Sequence, residues 1–185
     1  MSADIPPYAQ PPRVYWRLPA RFPFITVGML VLCVVIFIAQ LISQWLTGYD
    51  LPAAYGAKVN ELIVQGQLWR LITPMFLHGG FMHIAFNMYA LFVIGFEMER
   101  FYGHTRFALL LLVGGFAGNV ISFLFQTSPS LGASTAIFGL IAAEGVFYFQ
   151  NRQLFSNAGR SITNVIVIVA INLFIGTGSG IDNWG

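Results

Sequence analysis

Phe81-Met82-His83-Ile84-Ala85-Phe86-Asn87-Met88-Tyr89-Ala90-Leu91-Phe92-Val93-Ile94-Gly95-Phe96 is an apolar run with two strongly polar interruptions, His83 and Asn87. Four residues apart on a helix, they lie on one face and point together at whatever that face meets. A run this apolar belongs in a bilayer, where a polar side chain is costly unless it finds a partner or takes part in chemistry. Two readings are open. One is interhelical hydrogen bonding, worth about 0.6–2 kcal/mol per bond; the other is a pair of donors aimed at a reacting group. His78, just ahead of the run and followed by Gly79-Gly80, reads as a structural interfacial histidine.

The rest of the chain supports the membrane assignment. Of 185 residues, 57% are hydrophobic and 9% charged, and the mean hydropathy is +0.72, far from the roughly 25% charge of soluble domains. Five apolar segments are predicted as spans: Phe24 to Leu46, Phe81 to Phe96, Phe107 to Phe125, Ala133 to Phe149 and Ile162 to Ile175. About 20 residues suffice to cross. The last two are short, which either weakens them or means that they begin below the bilayer surface, in a protein-lined depression. The first is too long, and lacks the small-residue cleavage site, for a removable signal peptide.

Residues 1–23 are proline-rich, carry Arg13, Arg17 and Arg21, and read as a cytoplasmic tail; residues 24–185 read as one membrane domain. Alternation then puts Arg100, Arg106, Arg152 and Arg160 inside as well, against Lys58 and Arg70 outside, as the positive-inside rule requires. The net charge of +2 thus comes from topology signals and not from a clustered nucleic-acid surface. Cys33 is the sole cysteine, so no internal disulfide forms. The expected location is the cell membrane, multi-pass, with the lipid bilayer as surroundings.

Ser134 follows the turn-rich Gln126-Thr127-Ser128-Pro129-Ser130 within Gly132-Ala133-Ser134-Thr135-Ala136-Ile137-Phe138-Gly139. A serine in the first turn of a helix has free backbone N–H groups and the positive dipole end beside it, which an oxyanion needs. It can equally be a plain cap. Glu144 is a buried-looking carboxylate and by default a functional suspect. Its nearness to Gln150, Asn151 and Arg152 favours a structural role with the side chain reaching the cytoplasmic interface. Gly114 and Gly118 have the spacing of a close helix contact. Glu97, Glu99, Arg100 and Arg106 read as interfacial charge pairs.

Several elements in order carry a resemblance: Trp69-Arg70 in the outer connection, His78 with His83 and Asn87, Glu99-Arg100 with Gly103, and Gly132-Ala133-Ser134. The chain resembles the rhomboid family of intramembrane serine proteases from about Pro23 onward. The resemblance implies an all-α polytopic membrane helix bundle, rhomboid-like, with five of six core transmembrane helices present. It also implies a cofactor-free and metal-free endopeptidase that cleaves transmembrane segments of other membrane proteins. Ser134 would be the nucleophile, His83 and Asn87 the oxyanion donors, and Gly132 a close-approach backbone position; His78 and the Trp69-Arg70 loop would be supports.

Two departures qualify this. Thr135 stands where family members often have Gly, and should tighten packing against a neighbouring helix. The family's base is a histidine opening a sixth span, after a segment like Asp182-Asn183-Trp184-Gly185. The histidines here are His78, His83 and His104. The base is therefore expected beyond residue 185, the chain alone is expected to be inactive, and Gly132, Ala136 and Gly139 are expected to face lipid. The competing reading is a non-catalytic rhomboid-like protein that binds membrane helices. A small-solute transporter lacks support, because no paired broken helices occur in related halves. Substrate, cleavage preference and oligomeric state have no sequence signal.

Overall fold

Proline and glycine mark the two ends of the first helix. Pro23 precedes α1 (Phe24–Thr47) without capping it through a side chain, and Gly48, at φ +76°, closes it by donating its N–H to Gln44 O. The structure, a computed structural model, describes residues 22–150. Two short helices follow α1, α2 (Leu51–Gly56) and α3 (Asn60–Val64), then 3₁₀ turns at Leu68–Leu71 and Thr73–Phe76. The remaining helices are α4 (Phe81–Tyr102), α5 (His104–Phe125) and α6 (Ser134–Gln150). Among the described residues only an isolated bridge between Lys58 and Ser130 has β character, so the molecule is all-α.

Among the described residues three helices, α1, α4 and α5, are long and apolar enough to cross a bilayer; α6 is apolar but shorter. The predicted second span continues six residues past Phe96, and the third starts earlier, at His104. The expected inner loop is thereby reduced to one residue. Gly103, at φ +75°, ends α4 by donating to Glu99 O at 2.8 Å and accepts from Phe107 N at 3.0 Å; glycine takes this backbone conformation without a Cβ penalty. The predicted span Ile162 to Ile175, the tail 1–21 and the arginines at 13, 17, 21, 152 and 160 lie outside the described residues.

The core joins Met29 and Cys33 of α1, Leu91, Ile94 and Met98 of α4, Phe107 and Leu111 of α5, and Ala136, Ile137 and Leu140 of α6 around Met75. Helices α5 and α6 approach at backbone distance. A Cβ on Gly139 would come within 2.9 Å of Gly114 Cα, and one on Gly118 within 2.6 Å of Thr135 Cβ. Small residues here admit the neighbouring helix. Thr135 packs against α5 as expected. The expectation that Ala136 and Gly139 would face lipid does not hold: Ala136 is fully buried and Gly139 lies on Gly114, because α5 covers this face. Gly132 is covered as well, by His83.

Two acidic residues depart from their predicted surroundings. Glu99 is buried, with no arginine partner: its carboxylate accepts from the N–H groups of Ile25 and Thr26, the Thr26 hydroxyl and His104. It caps α1 from another helix, supplying what Pro23 lacks. Glu144 is also buried, 5% exposed, with Oε2 unpartnered.

Candidate active site

The connection between α1 and α4 is held by polar side chains bonded to backbone carbonyls, which otherwise have no regular ladder to satisfy them. Arg70 donates to Ala57 O at 2.7 Å, Ala54 O at 2.8 Å and Gln67 Oε1 at 2.8 Å, and Trp69 Nε1 donates to Tyr55 O at 3.1 Å. The Trp69-Arg70 pair is thus structural, as expected. Lys58 is fully buried and donates to Gln126 O and Ser128 O, while Asn60 donates to Phe123 O and Gln126 O. These bonds fasten the connection between α1 and α4 to the α5–α6 loop that leads into Ser134.

That loop arrives with its backbone fixed. Gly132 donates its N–H to Pro74 O at 2.8 Å and stands at φ +130°, a conformation L side chains rarely adopt. Ser134 opens α6, with the free N–H groups of the first turn around it.

The Gly132 position brings the pieces together. A methyl group there would lie 2.6 Å from His83 Nε2 and 3.7 Å from Ser134 Oγ. The imidazole therefore packs onto Gly132 in the space a Cβ would take, and the Ser134 hydroxyl lies beside the same point. His83 Nδ1 accepts from Gly79 N–H at 3.4 Å, which assigns the ring proton to Nε2, on the Gly132 side. Asn87, one turn further along α4 and fully buried, donates one amide hydrogen to His83 O at 2.9 Å. Its Oδ1 has no partner.

The other histidines sit elsewhere. His78 is 1% exposed, edge-on to the His83 ring at 5.4 Å, with neither ring nitrogen hydrogen-bonded. Burial, reinforced by His83, pushes its pKa down to about 4; the Phe76 backbone opposes the shift without closing a hydrogen bond of ordinary geometry. His78 is neutral at pH 7. His104 pairs with Glu99 at 2.5 Å, at the opposite end of α4 from His83. Among the described residues no group of histidine, cysteine and carboxylates is arranged to hold a metal ion.

Sequence reading passed over Gln40 and Asn119. Gln40 of α1, 2% exposed, bonds Asp50 and both polar groups of the His78 backbone; Asn119 of α5 donates to Leu71 O at 3.1 Å. The available signal was a lone amide side chain in an apolar span.

Comparison with known proteins adds a family match. The rhomboid domain family model matches residues 65–185. Rhomboid protease GluP of Bacillus subtilis (strain 168) is 44% identical over 165 residues, 88% of this chain and 32% of that protein. The chloroplastic RHOMBOID-like protein 9 of Arabidopsis thaliana is 39% identical over 137 residues, 73% of this chain and 32% of that protein. RHOMBOID-like protein 4 of the same plant is 39% identical over 130 residues, 70% and 33% of the two chains. The chain spans about a third of the length of these relatives.

Proposed function

Because this chain belongs to the rhomboid family, we propose that it carries the nucleophile and oxyanion side of an intramembrane serine endopeptidase acting on transmembrane segments of other membrane proteins. Ser134 Oγ attacks the scissile carbonyl carbon and gives its proton to a histidine base. The carbonyl oxygen, now anionic, accepts from His83 Nε2–H, the second Asn87 amide hydrogen and the backbone N–H of Ser134. Collapse expels the amine, which takes up the proton from the base, and leaves an ester on Ser134 that water hydrolyses. The single observation that carries this reading is the approach of His83 Nε2 and Ser134 Oγ to the same point beside Gly132.

The base is not one of this chain's histidines. His83 presents a proton and not a lone pair at the site, His78 is sealed from it, and His104 is held by Glu99 at the far end of α4. We place it on a span beyond residue 185. Adding that span should permit cleavage of a single-span substrate, and Ser134→Ala should abolish it; full activity in the alanine variant would refute the mechanism. The N-terminus is proposed to be cytoplasmic. In support, Lys58 and Arg70 at the Ser134 end are consumed by backbone carbonyls, whereas Arg100 and Arg106 at the Gly103 end are exposed.

Asn87 spends one amide hydrogen on His83 O within its own helix, which favours a second reading, in which the chain binds membrane helices without cutting them. A fluorophosphonate separates the two. Labelling of Ser134 in the extended protein supports the enzyme, whereas substrate association indifferent to Ser134, without labelling, supports the binder.

A further inference from the structure

His83 is useful as an oxyanion donor only if its proton is on Nε2, and that assignment rests on one bond, 3.4 Å long, from Gly79 N–H to Nδ1. At that length the bond lies outside the usual 2.7–3.2 Å range for N–H···O contacts, and a small rotation of the donating peptide would end it. The peptide is the one joining His78 to Gly79, so its other polar group is the His78 carbonyl. Gln40 Nε2 donates to that carbonyl at 3.1 Å, while Gln40 Oε1 accepts from His78 N–H at 3.0 Å. The Gln40 amide cannot turn over, because its Nε2 also donates to Asp50 Oδ2 at 2.7 Å and a flip would set oxygen against a carboxylate. Asp50 is itself fixed, since its Oδ1 caps α2 by accepting from Ala53 N–H.

We propose that Gln40, in the first span, is a positioning residue for the reaction: it clamps the His78–Gly79 peptide plane and so holds the His83 ring in the Nε2–H form. The inference rests on the oxyanion role of His83 given above. Two effects act in the same direction. The bidentate grip on His78 removes rotation of the peptide, and donation to its carbonyl polarises the peptide so that the Gly79 N–H becomes a better donor. No part of Gln40 touches the site. A purely mechanical tie between α1 and the connection to α4 would use the same bonds but would leave the ring's proton indifferent to them.

Nitrogen-15 NMR of histidine-labelled protein in micelles tests this, with the three resonance sets assigned by single substitutions. His83 in the unaltered chain should be the Nε2–H tautomer; finding the Nδ1–H form overturns the proposal before any variant is made. Gln40→Met, of similar length, should shift His83 to a mixture of tautomers. In the protein extended by the histidine-bearing span it should lower kcat about tenfold with KM unchanged, as loss of an outer partner does elsewhere. Thr26→Val, which weakens the far end of α1, should lower thermal stability while leaving the tautomer and kcat alone. A wild-type tautomer and kcat in Gln40→Met, alongside an inactive Ser134→Ala, would reject the positioning role and leave the serine mechanism standing. Cleavage that survives Ser134→Ala would reject both.

Discussion

Glu99 binds the first turn of α1 through Thr26 more closely than any side chain within α1 does. One carboxylate oxygen accepts both the Thr26 N–H at 2.8 Å and its hydroxyl at 2.7 Å, and the other takes the Ile25 N–H at 2.9 Å. Thr26 fits because Gly95 lies beneath it: a Cβ there would be 2.8 Å from Thr26 Cγ2. Glu99→Ala leaves two buried N–H groups and a hydroxyl unsatisfied. It should cost on the order of 3 kcal/mol, read as a lower unfolding midpoint in micelles. In the protein extended by the histidine-bearing span, fluorophosphonate labelling of Ser134, at the other end of the bundle, should persist below that midpoint.

The contact between Gly118 and Thr135 has no spare room. Gly118→Ala should destabilise by about 1–3 kcal/mol through overpacking, and Thr135→Gly should recover most of that loss in the double variant. Gly139→Ala should be worse and have no such remedy, since the added carbon meets the Gly114 backbone and not a movable side chain. Unfolding midpoints of the four variants check the pattern; simple additivity of Gly118→Ala and Thr135→Gly would show that the two do not share the space.

Acidification should loosen the Ser134 end of the molecule through His78. Its folded pKa, about 4, lies below the ordinary 6.5, so the unfolded chain binds the proton first and stability rises with pH between those values. Stability should therefore be intact above pH 6.5 and fall as the pH drops toward 4, by up to about 3 kcal/mol. His78→Phe should flatten that part of the profile, measured as unfolding midpoint against pH. An unchanged slope would assign the acid sensitivity to another group.

Gly132→Ala violates two requirements at once, a backbone at φ +130° and the close seat of the His83 ring, which already fills the space of a Cβ. Serine labelling of the extended protein should fall by roughly 10²-fold or more, the scale of losing an oxyanion donor, while the variant still inserts. Labelling at the wild-type rate would mean that this seat is not used.

Much of this molecule was legible before any coordinates. Span-length apolar runs leave few alternatives, since only helices and closed barrels satisfy their backbone in lipid, and the interval from His83 to Asn87 is a property of the helix itself. Ser134 at a helix start followed from the turn residues ahead of it. Contacts between segments were not legible in this way. That Glu99 caps α1, that Lys58 is buried on the carbonyls of Gln126 and Ser128, and that Gln40 grips the His78 peptide depend on residues tens of positions apart. Local pattern describes one helix at a time, so it marked these residues as polar without identifying their partners. The packing of α1 on α4, and of α5 on α6, chose those partners, because a buried donor or acceptor settles on whatever group close packing brings within reach.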